Sequence, residues 1–209
     1  MSHSPASTPP DDTAARILAA AMDRILHYGY AKTTMAEIAR DCAMSAGNIY
    51  RFFPSKLDIA QALAEQFNNK VFAEYDKITR AKGRSAMDRL ADLFRHQLRR
   101  SFHLMDENPQ IIELGRILSI ERPEFGNREL ADQRVYVTKI LEDGNSRSEF
   151  DVSDPEEVAE MIQAALLKFS FPQLFSRLSL PQLERELEGV LRILMHGLQA
   201  RPSSRIREL

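Results

Sequence analysis

The sequence predicts an all-α protein, on three observations: apolar residues recur at three- and four-residue spacing, alternating strand-like runs are nearly absent, and helix-capping residues punctuate the chain. With 209 residues, 44% of them apolar and 28% charged, the chain has the composition of an ordinary globular protein and room for one large domain or two small ones. A net charge of -2 offers no global attraction to nucleic acid, so any such surface must be a local patch. Cys42 is the only cysteine, which excludes an intramolecular disulfide and a thiolate metal cluster within one chain. No apolar run approaches the roughly 20 residues of a membrane span. Residues 1–10, rich in Ser and Pro, lack the apolar stretch of a signal peptide, so the expected location is cytoplasmic.

Residues 1–11 read as a disordered tail. Asp12 or Thr13 can cap a first helix that carries Ile17, Leu18, Ala21, Ile25 and Leu26 on one face and ends at Gly29. Thr34 and Glu37 form a capping box that opens a short second helix through about Cys42. Ser45 caps a third, Ala46 to about Phe52, stopped by Pro54. Ser55 and Asp58 open a long fourth helix carrying Ile59, Leu63, Phe67 and Val71. Further helices are expected near 85–104, 109–120, 123–143, 155–177 and 180–200. Their starts are marked by Ser85 with Asp88, Asn108-Pro109, Asp154-Pro155 and Ser179 with Gln182. Gly144 is expected to end the helix before a 145–153 loop, and residues 201–209 read as a frayed tail.

The informative segment is Thr33 to Lys56. Two short helices joined by a tight turn, the second packed through Ile49 and Phe53, have the dimensions of a helix-turn-helix, whose second helix enters the major groove of DNA. The residue types suit that task. Gly47 has no side chain to hold the helix away from a duplex, Asn48 can pair with adenine, and Tyr50, Arg51 and Lys56 can donate to phosphates or, for Arg51, to guanine. The helix starts at Thr34 and Ser45 also aim amides toward phosphate oxygens. Packing alone does not ask for Gly47 inside a helix, where Gly costs roughly 1 kcal/mol against Ala. Cys42 reads as a small buried apolar residue.

This run resembles the DNA-binding domain of the tetracycline-repressor (TetR) family. The match is carried by Gly29-Tyr30, Thr33-Thr34-Met35, Ile38-Ala39, Ser45, Gly47, Ile49-Tyr50, Phe52-Phe53 and Ser55-Lys56. The resemblance implies a DNA-binding domain over 12–57 in which Thr34, Ser45, Gly47, Asn48, Tyr50, Arg51 and Lys56 face DNA, with Tyr50 and Lys56 positioning on phosphate. Ala46 belongs to the same face but departs from the family, many of whose members carry a basic or larger polar residue there. The operator is therefore not transferable from any relative.

Residues 58–200 offer more apolar helix surface than a DNA-reading unit needs. Broad stripes run through Val158, Met161, Ile162, Ala165, Leu166 and Phe169, and through Leu183, Leu187, Val190, Leu191, Leu194 and Leu198. The resemblance implies that these two terminal helices meet their counterparts in a homodimeric four-helix bundle. It also implies a pocket for a small-molecule effector, with Phe67, Val71, Phe94, Phe102, Leu118, Tyr136, Ile140 and Phe169 as candidate lining. Their aromatic content suggests an apolar or aromatic ligand. His96, Arg99 and His103 are the polar candidates, with a solvated surface as the alternative.

The functional expectation is a ligand-responsive repressor that binds a palindromic DNA operator as a homodimer and requires no cofactor. An enzyme finds no support, since the chain lacks a Glu-x-x-His pair, a His-Glu-x-x-His run, a phosphate-cradling Gly loop and a Gly-x-Ser-x-Gly elbow. The remaining alternative is a dimeric helical interaction module that no longer binds DNA, a reading that Ala46 and the acidic Asp41 keep open.

Overall fold

A computed structural model describes residues 10–175 and 177–199. Eleven helices follow one another among these residues. They are α1 (Pro10–Tyr28), α2 (Met35–Asp41), α3 (Ala46–Ile49), α4 (Lys56–Thr79), α5 (Ala86–Glu107), α6 (Pro109–Glu121), α7 (Pro123–Ser146), α8 (Pro155–Ala165), α9 (Leu167–Ser170), α10 (Pro172–Phe175) and α11 (Leu180–Leu198). The only extended pairing described is a bridge between Phe150 and Gln199. The predicted tails at 1–11 and 201–209 lie outside the described residues, except that Pro10 and Asp11 already belong to α1. Neither Asp12 nor Thr13 is thus the first cap, because Pro is tolerated in an opening turn whose amides have no partner.

The helices group into two compact units. The first runs to Asn69 and takes in Asn108–Gly126; the second holds Lys70–Glu107 and the chain from Asn127 onward. The sequence reading divides the chain at 57/58 instead, and α4 contributes residues to both units. In the first unit, Ile17, Leu18, Ala21 and Ile25 of α1 pack with Met35, Ile38 and Ala39 of α2, Ile49 of α3, and Ile59 and Leu63 of α4. Each fully buried isoleucine of this cluster contributes about 1.5–3 kcal/mol relative to exposure. A smaller cluster joins Ala60 to Leu114, Leu118 and Phe125. Arg122 fastens the same helices by donating to Asp58 Oδ1 and Gln61 Oε1, each at 2.6 Å.

The second unit relies more on ion pairs distant in sequence. Arg89, 4% exposed, donates to the Thr79 carbonyl at 2.7 Å and to the Asp143 carboxylate. Arg95 grips Glu188 through two parallel bonds of 2.5 and 2.8 Å, and Arg99 donates to Glu184 at 2.6 Å. Arg134 pairs with Glu160, and Lys168 with Glu186.

Three expectations are corrected here. Gly144 does not end a helix; it lies buried within α7, where a Cβ would collide with the Phe150 ring and stand 3.0 Å from Ala86. Its lack of a side chain admits Phe150 against the helix. The stretch 155–177 is three helices rather than one. Pro172 disfavours helical backbone at Phe171, which adopts φ -134 and ψ 61, and a further break falls at Leu166. Finally, α3 ends at Ile49, and the chain to Phe53 continues through shorter-range bonds from the Arg51 and Phe52 amides.

Candidate functional site

The turn between α2 and α3 is built from local chemistry. Thr34 caps α2: its hydroxyl accepts from the Glu37 amide at 3.3 Å while Glu37 Oε2 accepts from the Thr34 amide at 3.0 Å. That same threonine hydroxyl holds the Glu37 carboxyl below its ordinary pKa. Met44 N then donates to the Ala39 carbonyl at 2.9 Å, closing the turn over Ala43, whose φ of 53 places it in the left-handed region. Arg16 of α1 donates to the Cys42 carbonyl at 2.8 Å and accepts from Cys42 Sγ through its own carbonyl. Burial pushes that thiol up, so it stays protonated and inert at neutral pH.

With the turn closed, α3 turns inward only through Ile49, which is fully buried. Ser45, Ala46, Gly47, Tyr50 and Arg51 are exposed, and Asn48 is half-buried. The Ser45 hydroxyl makes no capping bond although its residue occupies the cap position. A Cβ added at Gly47 would meet nothing within 4 Å, so the molecule itself does not require glycine there. Asp41, the acidic residue that weighed against a DNA surface, is tied at 2.8 Å to Arg24, which also binds Glu37 at 2.8 Å.

Lys56 has a role that sequence reasoning missed. Its ammonium donates to the carbonyls of Tyr30 and Thr33 at 2.7 Å each and lies 4.2 Å above the Tyr30 ring. Burial holds its pKa below the usual lysine value, with Glu113 and Glu37 opposing. Lys56 thus fixes the loop that leads into α2, and two of its three hydrogens are engaged in doing so. Tyr30 and Thr33 already stood out in the sequence; their lysine partner lies more than twenty residues away and left no local signal.

Of the eight effector candidates, Phe67 and Leu118 fall in the first unit, and Leu118 is buried in the Leu114 and Phe125 cluster. Val71, Phe94, Phe102, Tyr136, Ile140 and Phe169 fall in the second. Around Tyr136 an aromatic cluster forms: Phe72 stacks on it at 5.7 Å and Tyr75 meets it edge-on at 5.7 Å. Tyr75 in turn lies edge-on to His96 at 6.2 Å. Two clefts of the second unit are lined by other residues. One of about 360 Å³ lies between α5 and α11, along Met87, Ala91, Leu191 and Met195. The other, about 460 Å³, gathers His96, Arg99 and His103, the three polar candidates, with Asp92, Arg95 and Arg100. Among the described residues, no group of three or more His, Cys, Asp or Glu side chains is placed to hold a metal, and no helix is long and apolar enough to cross a membrane.

A short helix presenting a glycine-centred polar face from a three-helix core, followed by a separate helical unit, defines the class of two-unit helix-turn-helix regulators. The comparisons name the family. Residues 17–63 match the model described as bacterial regulatory proteins, tetR family, and residues 86–191 match the tetracyclin repressor-like C-terminal domain. The chain belongs to the TetR family of transcriptional regulators, proteins that act by binding DNA rather than by catalysis.

Solved structures agree in fold. A TetR-family transcriptional regulator from Pectobacterium atrosepticum is 19% identical with a TM-score of 0.71, over 96% of this chain and 100% of that one. FadR from Thermus thermophilus, a TetR-family repressor in complex with lauroyl-CoA, is 20% identical with a TM-score of 0.65, over 91% and 97%. RolR in complex with resorcinol is 16% identical with a TM-score of 0.64, over 90% and 88%. Among curated proteins, no sequence matches this chain.

Proposed function

We propose that this regulator is a repressor that grips a palindromic operator as a homodimer and lets go when a small apolar or aromatic effector binds its C-terminal helical domain. The observation that carries the reading is the exposed face of α3, where Gly47 has open space around its Cα although nothing within the molecule needs that space. In this reading the Gly47 backbone approaches the floor of the major groove, Asn48 and Arg51 read base edges, and Ser45 and Tyr50 bind phosphate. Thr34 lends the α2 amides to a neighbouring phosphate. Ala46 contributes only contact area, and Lys56 acts through its remaining hydrogen and through the loop that it fixes.

One such face makes too few phosphate contacts for tight binding at physiological salt, so two are needed. Met161 of α8, Leu174 of α10 and Ile193 of α11 are 57%, 54% and 74% exposed and supply apolar surface for a second copy. The aromatic cluster around Tyr136 supports an apolar or aromatic effector, as do the resorcinol and lauroyl-CoA held by RolR and FadR. Effector binding shifts the population toward a form whose two reading heads no longer fit successive grooves, and the helices over 58–75 and 109–143 transmit the change. Couplings of this kind are worth about 1–3 kcal/mol.

Footprinting on genomic fragments tests the reading: an inverted repeat is expected to be protected by the wild-type chain. Asn48→Ala is expected to relax sequence choice by ~1–3 kcal/mol at one base pair of each half-site. A uniform loss on all sequences would show that Asn48 reads no base, and absence of any protected repeat would favour the interaction module.

A further inference from the structure

Arg122 stands at the corner where α6 gives way to α7. The following Pro123 disfavours helical backbone there, and Arg122 adopts φ -139 and ψ 60 while its amide still donates to the Leu118 carbonyl at 2.9 Å. Its own carbonyl accepts from the amides of Phe125 and Gly126 at 3.0 and 3.3 Å, which opens α7. Beyond Gly126 the rest of α7 belongs to the second unit. The side chain at this corner reaches back to α4. Nη2 donates to Asp58 Oδ1 and Nη1 to Gln61 Oε1, each at 2.6 Å. The other Asp58 oxygen accepts from the Ser55 hydroxyl at 2.7 Å, and that hydroxyl accepts from the Asp58 amide at 3.2 Å. Ser55 and Arg122 hold the Asp58 carboxyl below the usual carboxylate range, so the pair is charged at neutral pH.

What Asp58 anchors is the approach to the reading helices. Two residues before it, Lys56 holds the Tyr30 and Thr33 carbonyls, and Thr34 follows at once as the cap of α2. Near its start α6 also meets that loop: a Cβ at Gly29 would stand 3.3 Å from Glu113 Oε2, and Tyr30 packs against the cluster of Leu114, Leu118 and Phe125. Hydrogen bonds and one short stretch of chain thus join the α6–α7 corner to the helix-turn-helix. We propose that Arg122 is a positioning residue for DNA reading: through Asp58 and Gln61 it fixes the start of α4, and with it the loop and the α2–α3 pair, relative to α6. Its role rests on the repressor reading, to which it adds the pair through which a change carried along 109–143 reaches the reading head.

The test uses the full-length chain. The wild type first enriches a duplex from a random-sequence library. That duplex is titrated against Arg122→Met, Arg122→Lys, Asp58→Asn and the Arg122→Met/Asp58→Asn double variant, each shown folded by circular dichroism. Loss of stability alone leaves affinity unmoved while a variant stays folded, so affinity separates positioning from packing. Arg122→Met and Asp58→Asn are each expected to weaken binding about tenfold and the double variant no further, since both remove one interaction. Arg122→Lys, which keeps the charge without the planar fork, is expected to lose less. Full affinity in Arg122→Met, or losses that multiply in the double variant, would overturn the proposal. Without DNA, amide exchange in α2 and α3 is expected to quicken about tenfold in Arg122→Met with α5 and α11 unchanged, and undisturbed exchange in α2 and α3 would equally overturn it. If the wild type enriches no sequence, the repressor reading falls and the exchange rates alone decide whether Arg122 holds the reading helices in place.

Discussion

Both units of this protein close over an apolar core that includes, in the second, Leu90, Leu98, Ile140 and Leu183, but they differ in how their helices are tied across it. In the first, short helices meet over an apolar cluster of which Ile17, Ile25, Ile38, Ile49 and Ile59 are wholly buried, and the side chains that shape its outer face come mainly from one short run of sequence. In the second, longer helices are stapled by arginines to carboxylates far along the chain, as in Arg89 with Asp143 and Arg95 with Glu188. The difference suits the two tasks. A reading head must present one rigid face, and close apolar packing gives that rigidity. A unit that responds to a ligand must have alternative arrangements of nearly equal energy, and an ion pair as exposed as Arg95–Glu188 can be exchanged at small cost.

The sharpest challenge to this contrast is Ile38→Ala. Removing the centre of the apolar cluster is expected to cost about 3 kcal/mol. Amide hydrogen exchange should show protection lost in α1 to α3 with α5 and α11 little changed; loss of equal size in both units would mean that they do not differ in the way described. Next in size is Arg89→Met, which strands the Thr79 carbonyl and leaves the Asp143 carboxylate to Arg147 alone. Because Asp143 is about one third exposed, the expected cost is discounted to about 2 kcal/mol, read by urea denaturation and confined to second-unit amides. The smallest effect is a gain. Ala43→Gly relieves a left-handed backbone at the turn and is expected to stabilise the first unit by about 0.5 kcal/mol, after the entropic cost of glycine is deducted. A loss of stability would show that the Ala43 methyl group packs usefully.

What could be read in the chain without coordinates was whatever the backbone decides within a few residues. The Thr34–Glu37 and Ser179–Gln182 boxes, the Asp154 cap and the left-handed Gly29 all stand where their residue types place them. So does the inward turn of Ile49 beneath an exposed Tyr50, since a four-residue helix has few faces to choose from. His96, Arg99 and His103 also share one cleft, as their spacing along a helix allows.

Glycine 144 and lysine 56 mark the other side of that boundary. From the sequence, Gly144 is a helix terminator; in the fold, the arrival of Phe150 turns it into a packing notch inside α7. From the sequence, Lys56 is a donor to phosphate; in the fold, two carbonyls and the Tyr30 ring engage it as well. Local torsional preference and capping chemistry act over one helical turn and are written in order along the chain. Which residue fills a notch and which carboxylate meets which arginine are decided only when distant segments compete for the same space.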